Sequence, residues 1–328
     1  MDIKRALVTV QLSDTGMRQI YKALAPAEII TLDPKDIEGL KRCCESVDVA
    51  ILNSDCPIPV SFFKNLRWMH CSHAGVDKTV SEEFFSRNIV LTCAKGRSAQ
   101  ALAEHSFMFM LHYTYNVREV MRRQHDHLWC QDHLYPSGTG LSGKILGVVG
   151  LGNTGMEVAR LGKAFGMHVL GYRRSQEKPE WVDELYTSNQ PDSLCSMLTR
   201  CDYIVLCIEL NQQTLHLIGA AELAAMKQTA FLVNMGRGGL VDEACLIDAL
   251  RSGQIGGAGL DTVTVEPLSP QSPLWDFENV LITPHVTPAQ SDKEERMLSY
   301  ILHNIHAYRT NGTFVNRVQP SSILGKCR

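Results

Sequence analysis

Short runs of β-branched and apolar residues alternate with amphipathic segments along most of the chain. In the first hundred residues the apolar runs read ALVTV, EIITL, VDVAILN, LRWMHC and NIVLTC. The segments between them place apolar residues at helical spacing: DTGMRQIYKALA, DPKDIEGLKRCCES and the stretch after Val76. Strands that alternate with helices predict a parallel sheet with helices on its faces.

A long helical pattern then begins near Ser98 and includes the apolar residues Leu102, Phe109, Val117 and Val120. It ends in the polar sequence QHDHLWCQDHLYPSGTG, which contains too many turn-forming residues to continue a helix. We expect the chain to cross from one domain to another in this segment.

A second alternating series occupies the rest of the chain. Its predicted strands are KILGVVG, HVLGY, YIVLCIE, FLVNM, GGAGLDTV and NVLIT. Its predicted helices are MEVARLGKAFG, SLCSMLTR, DEACLIDALRSG and a closing helix from about Pro288 through MLSYILHNIHAY. The two series predict an α/β protein with two doubly wound parallel sheets. We assign residues 1–100 and 290–328 to one discontinuous domain and residues 101–289 to the other.

Composition narrows the classes of function. The chain has 328 residues, a length that suits two domains. Its net charge of −3 excludes a strongly basic nucleic-acid binder and a polybasic membrane binder. No apolar run reaches the roughly 18 residues of a transmembrane helix, and the first apolar stretch is too brief for a signal peptide. Eleven cysteines at irregular spacing indicate free thiols in a reducing compartment. We expect a cytoplasmic protein with no nucleic-acid or membrane partner.

The sequence GLGNTG, which starts at Gly150, lies between a predicted strand and a predicted helix. A second strand follows about 20 residues later, which completes the context of a Rossmann dinucleotide-binding domain. Gly150 permits the tight turn, Gly152 lets a pyrophosphate approach the backbone, and Gly155 lets helix and strand pack closely. The helix N-terminus, with Asn153 and Thr154, offers free N–H groups to the phosphates. A tight turn without a ligand is the alternative, and the context favours dinucleotide binding.

The end of the second strand of this series indicates the form of the cofactor. In NAD-specific domains an Asp or Glu at this place accepts hydrogen bonds from ribose hydroxyls. Here Arg173, Arg174 and Ser175 follow the apolar run, and the first acid is Glu177. An arginine cannot accept a hydrogen bond, but it can pair with a 2′-phosphate. We predict NADP(H) as the preferred cofactor and NAD(H) as the alternative. If this turn binds no ligand, its arginines are simply solvated surface residues.

The segment from Phe231 to His285 adds a second set of motifs, LVNMGRGGLVDEACLIDALRSGQIGGAGLDTVTVEP and SPLWDFENVLITPH. Together with the glycine-rich segment, Ser72–Asp77 and Ala103–His105, these motifs resemble the D-isomer-specific 2-hydroxyacid dehydrogenase family. The resemblance spans nearly the whole chain. It implies a Rossmann cofactor domain, a flavodoxin-like substrate domain formed by the first and last segments, a cleft between them, and a homodimer.

Three residues of these motifs suit the reduction of a 2-keto acid. Arg237 can bind a carboxylate at two points and polarise the adjacent carbonyl. Histidine titrates near neutral pH, so His285 can donate a proton to the developing alkoxide. Glu266 can orient the imidazole. Taken singly, each residue has a structural alternative, but their order and spacing match the family. We expect each at the end of a strand, where doubly wound sheets bind ligands.

Further roles follow from the resemblance. Asp261 matches the carboxylate that the family places near the nicotinamide amide, although a strand-end Asp can also cap a turn. The backbone of Ala74, Gly75 and Val76 resembles the loop that binds the substrate carboxylate, where small residues leave N–H groups free for an anion. His73 in that loop is either a substrate contact or a packed or solvated imidazole.

Two segments depart from the family pattern. Where the family usually reads Leu-Pro-Leu-Thr, this chain reads IELN from Ile208, so Glu209 replaces the proline. After His285 the chain reads VTPAQSDKE rather than a glycine- or alanine-rich turn. The first departure puts the cofactor contacts of that loop in question, and the second changes the expected substrate pocket.

His125, His127, Cys130 and His133 have a spacing that resembles that of metal ligands. The family chemistry needs no metal, and the segment is predicted as a crossover loop, so we predict no metal site there. Trp129 in the same segment is expected to pack or to line the cleft.

The leading hypothesis is an NAD(P)H-dependent reductase that converts small 2-keto acids, such as glyoxylate or hydroxypyruvate, to D-2-hydroxy acids. The alternative is a cofactor-sensing scaffold or transcriptional corepressor built on the same fold. A formate or phosphoglycerate dehydrogenase is the weaker reading, because we see no C-terminal regulatory domain of the kind found on many phosphoglycerate enzymes. The sequence leaves the physiological substrate and direction open.

Overall fold

The structure is a computed structural model that describes residues 1–76, 78–130, 140–286 and 290–320. The chain forms two compact units, one of Met1–Ser98 with Ala289–Arg328 and the other of Ala99–Pro288. Both contain a parallel sheet with helices, which confirms the predicted α/β class. The assignment of the first unit to substrate binding stays a prediction.

The first unit contains a five-stranded sheet in the order β2-β1-β3-β4-β5, which is the order of flavodoxin-like sheets. All its strand pairs are parallel. Its elements up to residue 98 are β1 (Arg5–Val8), α1 (Asp14–Leu24), β2 (Glu28–Thr31), α2 (Ile37–Cys43), β3 (Val49–Leu52), β4 (Trp68–Cys71), α3 (Glu82–Ser86) and β5 (Val90–Cys93).

The second unit contains a seven-stranded parallel sheet and the glycine-rich segment. Its first elements are α4 (Ala99–Thr114), α5 (Val117–His125), β6 (Ile145–Val149), α6 (Asn153–Ala164), β7 (His168–Arg173), β8 (Glu184–Thr187) and α7 (Ser193–Leu198). The others are β9 (Tyr203–Leu206), α8 (Ala220–Ala225), β10 (Phe231–Asn234), α9 (Glu243–Ser252), β11 (Gly257–Leu260) and β12 (Val280–Ile282). The strand order is β12-β11-β10-β9-β6-β7-β8, so the chain reverses its direction of winding between β6 and β9. Ligands of doubly wound sheets bind at such a switch point.

The last helix, α10 (Lys293–Thr310), packs against α1 and closes the first unit. Its buried Tyr308 stacks on Trp68 of β4 with ring centroids 5.8 Å apart. The predicted helix began at about Pro288, and the observed one begins at Lys293. The carboxyl-terminal segment therefore belongs to the same core as the first strands.

Two elements differ from the pattern along the sequence. The long helix predicted from about Ser98 is divided into α4 and α5. Asn116 lies between them with a left-handed φ of 43°, which a right-handed helix cannot contain. The strand β8 was not predicted, since its residues ELYT are mostly half-exposed and pair only with β7 at the edge of the sheet. Glu184 of β8 accepts hydrogen bonds at 2.8 Å from both His168 and Arg200. These bonds lower the pKa of Glu184 to about 2.

Within the described ranges, no helix combines the length and the apolar character needed to cross a membrane. The apolar residues instead form the cores of the two units. In the second unit the buried side chains of β6, β9 and β10 are apolar apart from Asn234 and the hydroxyl of Tyr203. Continuous apolar strands are typical of parallel sheets that are covered on both faces.

The helix α4 lies against the sheet because β11 has a glycine where the helix approaches. A Cβ at Gly259 would lie 2.6 Å from Cγ of the fully buried Phe109. Real Cβ atoms do not come this close to a carbon, so any side chain here requires the helix or the strand to shift. Gly259 therefore determines the distance between α4 and the end of β11.

Gly259→Ala is expected to lower the free energy of unfolding by about 1–3 kcal/mol, because overpacking of a close-packed core has this effect. Urea denaturation of the variant and the parent measures the difference. Gly152→Ala is the control, because a Cβ there meets no atom within 4 Å. Equal denaturation midpoints for Gly259→Ala and the parent would contradict the packing argument.

Candidate active site

The carboxyl ends of the strands of the second unit lie along one edge of its sheet, because every pair is parallel. Neighbouring strands are about 4.8 Å apart. The predicted site residues lie at this edge in strand order: Arg173 on β7, Gly150 after β6, Arg237 after β10, Asp261 after β11 and His285 after β12. Ile208, the first residue of the departing IELN segment, follows β9 at the same edge. The fold thus brings Gly150 and Arg173 of the cofactor prediction to one half of the edge and Arg237 and His285 to the other. Asp261, which was also predicted to bind the cofactor, lies between Arg237 and His285 in this order.

The turn after β6 shows the steric roles that its spacing predicts for Gly150 and Gly155, whereas the approach of a pyrophosphate at Gly152 stays a prediction. Gly150 has a φ of +94°, and a Cβ on it would lie 2.8 Å from the backbone of Ile208. A Cβ on Gly155 would lie 1.9 Å from the carbonyl oxygen of Gly150. Gly152 is different, because a Cβ there meets nothing within 4 Å. Gly150 and Gly155 are therefore required by the packing, whereas Gly152 leaves open space in front of the backbone.

That open space lies at the N-terminus of α6. The helix begins at Asn153, and its N-cap Gly152 provides no side-chain hydrogen bond to the first N–H groups. The first N–H groups of a helix need an acceptor, and a phosphate provides one together with a charge that suits the helix dipole. The backbone around Asn153 and Thr154 therefore fits the pyrophosphate of a dinucleotide.

The end of β7 carries the basic residues of the cofactor prediction. Arg173 is half-exposed, and Arg174 and Ser175 are exposed. The Arg173 Nη1 atom lies 3.5 Å from the carbonyl oxygen of Glu177, a long contact that leaves its other donors for a ligand. Ser175 Oγ accepts a hydrogen bond from the Glu177 N–H at 3.3 Å. No carboxylate belongs to the end of this strand, so the turn suits an anionic group on the ribose.

A tight turn after β10 presents Arg237. The buried Asn234 donates from Nδ2 to the carbonyl oxygen of Arg237 at 2.9 Å and accepts from the N–H of Gly236 at 3.1 Å. A Cβ at Gly238 would lie 2.0 Å from the carbonyl group of Val263, so only glycine lets this turn contact the loop after β11. The Asn234 and Gly238 positions of the motif thus shape the turn and place the half-buried Arg237 at the edge of the sheet.

His285 and Glu266 form a direct pair. His285 Nδ1 lies 2.8 Å from Glu266 Oε2, and the two side chains are 42% and 39% exposed. An ionised carboxylate only accepts hydrogen bonds, so Nδ1 carries a proton and Nε2 faces outward from the pair. Glu266 Oε1 accepts from the N–H of Val263 at 3.3 Å. The prediction that Glu266 lies at a strand end is wrong, because it belongs to the loop that follows β11.

Asp261 is buried directly after β11 and holds the backbone of the last turn. Its carbonyl oxygen accepts from the N–H of His285 at 2.9 Å, and its Oδ1 atom accepts from the N–H of Val286 at 3.1 Å. Oδ1 also accepts from Thr283 Oγ1 at 2.6 Å. Within the described residues no donor contacts Oδ2, so this atom can accept from a cofactor amide.

Sequence reasoning did not assign roles to two residues beside Asp261. Thr283 Oγ1 lies 3.2 Å from Nε2 of His105, which is buried on α4. Burial lowers the pKa of His105. The motif Ala103–His105 was part of the family resemblance, and that motif is the signal that could have identified His105.

The predicted substrate loop belongs to the other unit. Ala74, Gly75 and Val76 follow β4, with Ala74 exposed, Gly75 half-exposed and Val76 buried. His73 is exposed, and its Nδ1 atom lies 3.3 Å from the carbonyl oxygen of Gly75. Asp77 of this motif lies outside the described residues. The meeting of this loop with Arg237 at one substrate stays a prediction.

The segment with metal-like spacing is described only in part. His125, His127 and Cys130 are exposed, and His133 lies outside the described residues. Where the structure describes the chain, no three His, Cys, Asp or Glu side chains come together as a metal site would require. Trp129, which we expected to pack or to line the cleft, is 95% exposed in the structure, so the packing alternative is wrong.

The chain is similar to known proteins over most of its length. The sequence profile described as D-isomer specific 2-hydroxyacid dehydrogenase, NAD binding domain, matches residues 107–287. The chain is 31% identical over 318 residues to a glyoxylate reductase of Korarchaeum cryptofilum, which covers 93% of this chain and 92% of that protein. It is 34% identical over 302 residues to a glyoxylate reductase of Thermococcus gammatolerans, with 89% and 86% covered.

A solved structure extends the comparison to both units. The NADPH-dependent glyoxylate/hydroxypyruvate reductase of Sinorhizobium meliloti, in complex with NADP and sulfate, is 25% identical and has a TM-score of 0.79. The similarity covers 97% of this chain and 99% of that one.

Gly152→Ala is expected to weaken nicotinamide dinucleotide binding about tenfold or more, equivalent to about 1.4 kcal/mol, because the new Cβ occupies the space in front of the α6 N-terminus. Calorimetric titration with NADPH measures the loss. Gly219→Ala is the matched control, since Gly219 is also a helix N-cap and its Cβ would make ordinary contacts with Glu222 Oε2 at 3.5 Å and the carbonyl oxygen of His216 at 3.8 Å. An unchanged dissociation constant in Gly152→Ala would place the phosphates elsewhere.

Proposed function

Because the chain belongs to the D-isomer specific 2-hydroxyacid dehydrogenase family, and is thus an NAD(P)-dependent oxidoreductase, we propose that it reduces small 2-keto acids to D-2-hydroxy acids with NADPH. The observation that carries the proposal is the His285–Glu266 pair at 2.8 Å, on the same sheet edge as Arg237 and the glycine-rich turn. This arrangement supplies a proton donor, a cation for a carboxylate and a place for a dinucleotide.

Each residue has a distinct part in the reaction. A nicotinamide dinucleotide held at the glycine-rich turn and the end of β7 would provide the hydride for the carbonyl carbon. Arg237 binds the carboxylate of the keto acid and polarises its carbonyl through a charge-assisted hydrogen bond. The Nε2–H group of the protonated His285 donates its proton to the carbonyl oxygen as the alkoxide develops. Glu266 accepts the hydrogen bond from Nδ1–H, orients the ring and stabilises the imidazolium before it loses the proton.

Glyoxylate and hydroxypyruvate are the first substrates to test. Two relatives of more than 30% identity over most of their length are glyoxylate reductases, and the Sinorhizobium meliloti relative is a glyoxylate/hydroxypyruvate reductase. In our proposal the backbone of Ala74–Val76 also binds the substrate carboxylate. A panel of 2-keto acids with NADPH and NADH tests the activity, and no turnover with any of them would favour a cofactor-sensing scaffold.

NADPH is the proposed cofactor because the end of β7 is basic. Arg173 and Arg174 can pair with a 2′-phosphate, and Ser175 can donate a hydrogen bond to it. The relative that binds NADP supports this choice. Asp261 Oδ2 is proposed to accept a hydrogen bond from the nicotinamide amide.

The cellular setting is part of the same proposal. Ten cysteines lie among the described residues and form no disulfide with one another, in keeping with a reducing cytoplasm. The family resemblance supports a homodimer, which light scattering of the purified protein would test.

His285→Ala is expected to lower turnover by a factor of about 10²–10⁴, because it removes the proton donor. The dissociation constant of NADPH should change little, since the proposed dinucleotide contacts of Gly152 and Arg173 are intact. Steady-state kinetics and calorimetry measure the two quantities on the same preparation. Near-normal turnover of the variant across the pH range would show that His285 does not donate the proton.

Arg173→Asp is expected to move the cofactor preference toward NADH by about tenfold or more in kcat/KM, because an acid accepts from ribose hydroxyls and repels a 2′-phosphate. The ratio of kcat/KM for NADPH and NADH in parent and variant is the measurement. Arg251→Asp, in the last turn of α9, makes the same charge change away from this edge. A parent that strongly prefers NADH would contradict the proposal, as would an unchanged ratio in Arg173→Asp.

A further inference from the structure

A series of hydrogen bonds leads from α4 to the backbone N–H of Val286, the residue after the proposed proton donor His285. His105 Nε2 lies 3.2 Å from Thr283 Oγ1, and Thr283 Oγ1 lies 2.6 Å from Asp261 Oδ1. The same Oδ1 atom accepts from the N–H of Val286 at 3.1 Å. The groups come from α4, from the residue after β11 and from the turn after β12. The hydrogen bonds therefore join three segments that are far apart in the sequence, and only Thr283 and Val286 belong to the same turn.

The direction of each hydrogen bond in this series follows from the valence of its groups. A carboxylate only accepts, so the single proton of the Thr283 hydroxyl goes to Asp261. Thr283 Oγ1 must then accept from His105, which requires a proton on Nε2 of that imidazole. The other nitrogen, Nδ1, is buried and has no partner among the described residues. A neutral imidazole has one N–H group, and in this arrangement the Nε2–H group of His105 donates to Thr283. The lone pair of His105 Nδ1 then lies in the core without a donor among the described residues.

His105 is held in place by more than this bond. Its ring stacks on Phe109, one turn further along α4, with centroids 4.9 Å apart. Phe109 is the residue that packs against Gly259 of β11. Burial lowers the pKa of His105, which keeps the ring neutral as the direction of the bonds requires. The helix therefore presents a rigid donor to Thr283.

The hydrogen bonds end at a strained turn, the one that contains His285. His285 has a left-handed φ of 50°, a conformation that costs a non-glycine residue about 1–2 kcal/mol. Its own N–H donates to the carbonyl oxygen of Asp261 at 2.9 Å, and the next N–H, of Val286, donates to the carboxylate. Asp261 thus restrains the peptide groups on both sides of His285 and thereby the direction of its side chain toward Glu266.

We propose that Thr283 and His105 are positioning residues: by orienting the Asp261 carboxylate, they hold the turn that directs His285 Nδ1 at Glu266. Neither residue touches the reacting atoms in this scheme. Their effect on the reaction rests on the proposed function, whereas their effect on the His285 tautomer belongs to the protein without any ligand.

The first test is made on the apo protein by ¹⁵N NMR of the imidazoles, at a pH where they are neutral, with His105→Gln and His285→Gln used for assignment. We expect the Nε2–H tautomer at His105 and the Nδ1–H tautomer at His285 in the parent. Thr283→Val, which keeps the shape and removes the hydroxyl, should give a mixture of tautomers at His285. Thr283→Ser should restore the parent tautomer.

The second test is kinetic. Thr283→Val should lower kcat about tenfold, since a small misplacement of a reacting group has effects of this order or larger, while KM for the keto acid changes little. In a His285→Ala background the same substitution should cause no further loss, because there is no imidazole to position. His105→Phe keeps the ring stack on Phe109 and should cause a smaller loss than Thr283→Val, because Asp261 still receives the hydroxyl proton.

The outcomes separate the two proposals. An Nδ1–H tautomer at His105 in the parent would overturn the inference, as would a Thr283→Val variant with the parent tautomer at His285 and the parent kcat. An additional loss from Thr283→Val in the His285→Ala background would also overturn it, because it would show general damage instead. Failure of every 2-keto acid to turn over would contradict the proposed function and leave the NMR result to decide the positioning role.

Discussion

Parallel pairing of all the strands of the second unit is the constraint on which the site depends. Parallel strands need a crossover connection, and right-handed crossovers bring every strand back in the same direction. The loops at the carboxyl ends therefore meet along one edge, whatever their separation in the sequence. Arg173, Gly150, Arg237, Asp261 and His285 come from five strands and become neighbours only through this pairing. The direction of winding reverses between β6 and β9, which opens the edge where the glycine-rich turn lies.

Glycines set the distances within this arrangement. At Gly150 and Gly155 a side chain would collide with the backbone of the next loop or with the turn itself, and at Gly238 it would collide with Val263. At Gly259 it would collide with Phe109 and displace α4. Gly152 is the exception, since its missing side chain leaves space rather than contact. Glycine thus permits close packing at four positions, and at Gly152 it leaves the backbone at the start of α6 accessible to a ligand.

Asp261 connects the packing of the unit to its chemistry. A buried carboxylate is unfavourable unless hydrogen bonds satisfy it, and Asp261 meets this need with Thr283 and the N–H of Val286. The bonds that satisfy the carboxylate also determine the conformation of His285. A core requirement and the orientation of the proposed proton donor are therefore met by the same hydrogen bonds, and Glu266 completes the orientation from a separate loop.

The sequence by itself determined the class of fold, because the alternation of strand and helix patterns depends on local periodicity. It also determined the glycine-rich turn and the candidate residues Arg237, Glu266 and His285, since these lie in motifs of fixed spacing. Local pattern could not reveal β8, an edge strand of half-exposed residues, nor the break at Asn116, where one left-handed residue interrupts an otherwise helical pattern. Only the tertiary structure decided that Thr283 contacts both His105 and Asp261. Hydrogen bonds between residues far apart in the sequence produce no periodic pattern of apolar and polar residues from which they could be predicted. These hydrogen bonds depend on the position at which α4 packs against β11. The distance between α4 and β11 is determined by the steric contact of Phe109 with Gly259.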